Sequence, residues 1–191
     1  MLAITPVFFG IANLDAAASA GVLEQFVPLC GAVLLTPLCL PEQNRDLREL
    51  VAAKPTPPAL VCLLRVLPAC LAAVLLIGGF GALMTACGSV FPFGAFWFGA
   101  AATALFLGGL GFCAAALSDN VAVGAMLSLG WYCVNLFSSR EKLGAFYLFE
   151  LSAQAQEGSG FDLSGKLVLM LLGVGLMAVG IVGRSDRRVK N

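Results

Sequence analysis

Residues 40–54 read LPEQNRDLRELVAAK and carry six of the chain's formal charges (11 basic and 11 acidic in all) between two apolar stretches. Pro41 suits the first turn of a helix, where its missing N–H costs no hydrogen bond, and Glu42 favours the positive N-terminal end. Asp46, Arg48 and Glu49 spread over a polar face, while Leu47, Leu50 and Val51 fall at i, i+3 and i+4 on one apolar stripe. Pro55, Pro57 and Pro58 then stop the helix. The spacing predicts a short amphipathic helix over 41–53 at a membrane edge. Such a helix either only joins the two flanking spans or docks a partner.

Composition supports the membrane. The chain has 191 residues, 60% hydrophobic and 12% charged, about half the charged share of a soluble globule. Its balance of 11 basic and 11 acidic residues gives no global field for nucleic acid, and no basic patch is interleaved with aromatics. Seven cysteines form an odd number with no CxxC pair, so neither a disulfide framework nor a zinc site is expected. They read as small apolar packing residues.

Working outward from 40–54, the pattern predicts an all-α, polytopic membrane bundle of about six spans in a single transmembrane domain over 1–191. The predicted spans are 1–12, 26–40, 59–86, 93–117, 121–137 and 167–182. The first is short, about half the ~20 residues that a bilayer core requires. It lacks a basic flank and a cleavage site, so it fits a truncated or half-crossing span better than a signal peptide. Residues 13–25, with Asp15 and Glu24, can lie in the interface, and the second span can borrow Gly21–Leu23 if it tilts. Pro28 and Pro37 predict a kink in the second span, which neighbouring helices tolerate. Arg65 either snorkels from the third span to the interface or pairs inside the bundle. Phe96, Trp97 and Phe98 read as an interfacial aromatic belt. Ala100, Ala104 and Gly108, then Gly111 and Ala115, recur every fourth position and predict close helix approach, with a substrate path as the other reading. Residues 138–166 form the longest polar region, with the apolar run 143–151 expected to lie in the interface.

Loop charge sets the expected orientation. With a cytoplasmic C-terminus, the inner side holds Arg45, Arg48, Lys54, Arg65, Arg184, Arg187, Arg188 and Lys190, and the outer side only Arg140, Lys142 and Lys166. The positive-inside rule therefore puts the chain in the cell membrane, multi-pass, with 41–53 in the cytoplasm.

Chemistry is sparse. With no histidine, Ser-His-Asp triads are excluded, and no Walker lysine motif, GxSxG or HExxH occurs. No catalytic, cofactor or metal residue is expected. Asp119 and Glu150 read as isolated carboxylates near membrane surfaces. The Gly-Leu-Gly at 109–111 and Gly-Val-Gly at 173–175 are weak phosphate-loop candidates inside apolar runs. The cores of the fourth, fifth and sixth spans hold none of the ionisable groups that an ion-coupled carrier would require. An intramembrane enzyme would have only Thr36, Arg65, Thr85, Thr103, Ser128 and Asn135, with no evident base. Any energy source therefore lies in a partner.

The stretch 35–54, LTPLCLPEQNRDLRELVAAK, with FLGGLG at 106–111 and Ser118-Asp119-Asn120, resembles a permease subunit of a type-2 ABC exporter over about residues 10–180. The resemblance implies a dimer of permeases with six spans each, formed with a second copy or a paralogue and embedded in lipid. It also implies a coupling helix between the second and third spans that docks on a separate ABC ATPase subunit. That helix would be 41–53, with Pro41, Glu42, Asp46, Leu47, Arg48, Glu49 and Leu50 as coupling residues. The amphipathic elbow usual before the first span is missing. The implied mechanism is indirect: ATP closes the ATPases, the helix moves as a lever, and the spans rearrange to release a lipophilic or amphipathic substrate outward. The other function class is a non-transporting membrane scaffold or assembly protein, in which the charged helix recruits a partner without ATP.

Overall fold

The computed structural model describes residues 14–38, 58–158 and 161–190, with side chains for 14–38, 59–158 and 161–184. The predicted first span at 1–12 and the whole helix 41–53, with Pro41, Glu42, Asp46, Leu47, Arg48, Glu49 and Leu50, lie outside the described residues. Among the described residues the chain is helical throughout, without strands.

Among the described residues, four helices are long and apolar enough to cross a membrane: α1 (Ala16–Leu38), α2 (Pro58–Ala86), α3 (Phe93–Ser118) and α7 (Ser164–Lys190), the last over Ser164–Arg184. Between α3 and α7 lie α4 (Val121–Phe137), one turn at α5 (Arg140–Leu143), a 3₁₀ turn at Gly144–Phe146, and α6 (Glu150–Glu157). At 17 residues α4 is about 26 Å long, shorter than a full crossing.

Local chemistry sets these boundaries. Asp119 takes a left-handed conformation (φ 54°) that ends α3, and the Asn120 side chain accepts the Ala122 N–H at 2.9 Å to start α4. Asp15 caps α1 by accepting the Ala18 N–H at 2.9 Å. Asp162 caps α7 through the Ser164 amide and hydroxyl, and those bonds hold its carboxyl below the usual range.

Helix α3 is the hub and packs against α1, α2, α4 and α7. Its small residues make that possible. A Cβ on Gly108 would run into Leu35 and into the Gly31 carbonyl of α1; one on Gly109 would strike the Gly173 carbonyl of α7; one on Gly124 of α4 would strike the Gly111 carbonyl. The stripe of small residues is thus a set of helix–helix seams, and its Ala100, Ala104 and Ala115 are fully buried. The two Gly-x-Gly triplets meet each other in one of these seams, which leaves no room for a phosphate.

The outer faces remain apolar. On α2, Leu64, Leu67, Leu71 and Leu75 are exposed, and on α4 so are Met126, Leu129 and Phe137. So continuous an apolar surface suits lipid or a partner and not water. The four apolar helices suggest a membrane-embedded protein.

Three expectations need correction. The helix that holds the span predicted from 26 begins at Ala16, ten residues earlier, so Glu24 lies inside a helix long enough to cross a membrane. The run 143–151 divides: Phe146 stays exposed, whereas Leu148, Phe149 and Leu151 turn back into the bundle and are buried there. Phe96, read as part of an aromatic belt, packs inward, stacked on Phe91 (centroids 5.5 Å) and edge-on to Phe161 (5.2 Å). Trp97 next to it donates to the Val74 carbonyl of α2 at 3.3 Å.

Candidate functional site

The two ends of the bundle differ. At one, Leu35 and Leu38 of α1 join Cys62 and Val66 of α2, Phe112 and Ala116 of α3 and Met177 of α7 in one apolar cluster, and Arg184 meets Asp119 at 3.5 Å. At the other end the chain from α4 to α7 folds back into the helices, and the buried charges gather around it.

Returning backbone inside an apolar bundle carries N–H and C=O groups that no helix satisfies, and each must find a partner. Side chains from three long helices supply them. Asn135 of α4 accepts the Leu148 N–H through Oδ1 at 2.9 Å, and Lys166 of α7 donates to the Leu148 carbonyl. Glu24 of α1 accepts the Leu151 N–H at 3.1 Å on Oε1. Its Oε2 accepts the Ser152 N–H at 2.7 Å and the Ser152 hydroxyl at 2.6 Å. Glu24 thus caps the N-terminus of α6 from another helix, where the helix dipole favours a negative charge.

Glu24 and Lys166 also pair directly, Nζ to Oε1 at 2.6 Å, with side chains 1% and 0% exposed. Lys166 directs its remaining donor to Thr103 Oγ1 at 3.2 Å, and Thr103 passes its own proton to the Gly99 carbonyl at 2.9 Å. All three ammonium donors and four acceptor positions of the carboxylate are therefore used. A buried ion pair offsets its desolvation only when its remaining sites are filled in this way.

A local feature of α1 aims Glu24. Residues Val22–Phe26 form a π-helical turn, with the Val27 N–H reaching the Val22 carbonyl at 3.5 Å. The extra residue turns Val22, Leu23 and Glu24 inward together, and the Tyr132 hydroxyl donates to the Gln25 carbonyl at 2.7 Å. Single π turns inside helices recur at functional positions.

Around this pair lies a second, less saturated layer. Arg140 bridges Glu150 at 3.5 Å and Glu157 at 3.3 Å. Gln154 accepts the Asp162 N–H at 2.9 Å and so ties α6 to the start of α7. Glu150 Oε2 is buried without a hydrogen-bond partner, against Gly165, where a Cβ would collide with it. Burial pushes the Glu150 carboxyl up, Asp162 and Glu24 add to this, and Lys166 and Arg140 oppose it.

Sequence reasoning missed this site. Glu24 was expected in the interface, Lys166 in an outer loop, and Glu150 alone; the structure brings all three together. The missed signal was a lone acid about two turns inside one apolar helix and a lone lysine in the first turn of another, at the same end of the bundle. Saturated as it is, the Glu24–Lys166 pair offers no open valence for substrate or metal. Its capacity is to hold backbone in place. Among the described residues no group of three or more Cys, Asp or Glu could hold a metal ion.

No family model, curated protein or solved structure matches the chain.

Proposed function

We propose that the chain is the membrane-spanning permease subunit of an exporter of the type-2 ABC class, energised by a separate ATPase subunit and paired with a second permease. The observation that carries this reading is the position of the charged stretch 40–54. In sequence that stretch joins α1 to α2, and the residues that flank it, Leu38 and Cys62, share one cluster at the end of the bundle where Arg184 lies. Of the chain's 11 basic residues, Arg65 and Arg184 lie at this end, and Arg45, Arg48, Lys54, Arg187, Arg188 and Lys190 follow its flanking residues in the sequence. Only Arg140, Lys142 and the buried Lys166 belong to the other, which makes the first end cytoplasmic by the positive-inside rule.

Two features support transport driven from outside the chain. The inner carboxylate Glu24 is saturated by its partners, so it is not poised to carry a coupling ion. The glycine seams of α3 allow backbones to slide past one another when a lever at 41–53 moves. The leucine-rich outer face of α2 is available to lipid or to the second permease. Walls of this kind favour a lipophilic or amphipathic substrate.

Placing a photo-crosslinking amino acid at Leu47 or Leu50 in cells of the source organism tests the reading. Adducts to a P-loop ATPase support it. Adducts only to proteins without a nucleotide-binding motif favour a non-transporting scaffold.

A further inference from the structure

We propose that residues 140–157 form a plug in the end of the bundle opposite Arg184, and that the Glu24–Lys166 pair is the latch that holds it shut. Three observations carry this. First, the plug has a socket: Leu151 sits over Gly99 of α3, where any Cβ would strike its Cδ1, and Leu148 and Leu151 are fully buried. Second, the polar backbone of its inner turn is held by single side chains, Glu24, Asn135 and Lys166, each from a different helix. These contacts can be released without unwinding any long helix.

Third, the latch stands on a π turn, a local departure from α register inside a longer helix. Glu24 occupies a π turn, and one residue slipping from π to α register rotates its side chain by about 100° about the helix axis. That slip removes the Lys166 contact and the three plug contacts of Glu24 together. A single local change therefore frees the plug, as a bistable element requires. The plug's role as an outer closure rests on the transport reading, whereas its opening is a property of this chain alone.

The test uses the full chain in lipid vesicles, with native cysteines replaced and Leu148→Cys or, as a control, Ala115→Cys as the target of a membrane-impermeant maleimide. Leu148 is fully buried in the plug and its side chain takes no part in the latch, and Ala115 is buried in the opposite end cluster. Lys166→Met removes one half of the latch, and the double variant Glu24→Gln/Lys166→Met leaves no orphaned charge to block folding. Both are expected to speed labelling at 148 by about tenfold or more, with labelling at 115 unchanged. An unchanged rate at 148, or an equal rise at both positions, would overturn the proposal. Because no ATPase is present, failure here and failure of the transport reading are separately visible.

Discussion

Replacing Glu24 by glutamine is the sharpest single perturbation of the buried pair. The side chains of Glu24 and Lys166 are 1% and 0% exposed, so Glu24→Gln leaves an ammonium in the bundle with neutral partners only. Removing one member of such a pair costs about 3–5 kcal/mol. Glutamine also has one acceptor oxygen where the carboxylate has two. One of the Leu151 and Ser152 amides then faces an NH₂ group, at about 1–3 kcal/mol for a buried unsatisfied donor. The expected total is about 4 kcal/mol or more, a large share of a stability of about 5–15 kcal/mol. Lys166→Met should cost less, about 3 kcal/mol, because Glu24 keeps its three bonds to the plug. The double variant should be clearly more stable than the sum of the singles predicts. Denaturant unfolding in detergent, followed by tryptophan fluorescence, gives all three values. Single variants within about 1 kcal/mol of the parent, or strict additivity, would refute the assignment of a buried, mutually dependent pair.

Other expectations follow from the seams and the second layer. Gly31→Ala would push a methyl into the Ala104 carbonyl and Gly109→Ala into that of Gly173, each costing about 1–3 kcal/mol. Gly130→Ala, with nothing within 4 Å, should be neutral or mildly stabilising in the same unfolding assay. Glu150 titrates above its ordinary 4.5 in the folded chain, so the folded state binds that proton more tightly than the unfolded one. Its contribution is therefore most favourable at acid pH and declines as pH rises above the unfolded value. Glu150→Gln should flatten this part of the stability–pH curve and leave stability at neutral pH unchanged or raised; a steeper curve would contradict the burial of Oε2.

The long helices were legible because their ends carry local chemistry. The helices expected at 59–86, 93–117 and 121–137 match Pro58–Ala86, Phe93–Ser118 and Val121–Phe137 closely, with proline, Asp119 and Asn120 at the boundaries, although α4 is too short to count as a full span. The glycine and alanine stripe of α3 was also readable as packing, since spacing of four places small residues on one helix face. Helix α1 and the plug were not legible, for one shared reason. Glu24, Gln25 and Lys166 each look like the edge of an apolar run when taken singly. Only the fold shows that the two charges neutralise each other, cap α6 and satisfy a returning backbone. A polar residue inside a span is inexpensive when its partner arrives from 142 residues further on, and periodicity along one helix carries no trace of that partner.

The proposed docking of an ATPase on the charged stretch 40–54 is open to a direct test. Affinity purification of the tagged chain from its own membranes in mild detergent, with identification of co-purifying proteins by mass spectrometry, tests it most directly. A stoichiometric P-loop ATPase that is lost from the Leu47→Asp/Leu50→Asp variant is the predicted result. Recovery of the chain alone, or with partners that have no nucleotide-binding motif, would contradict it.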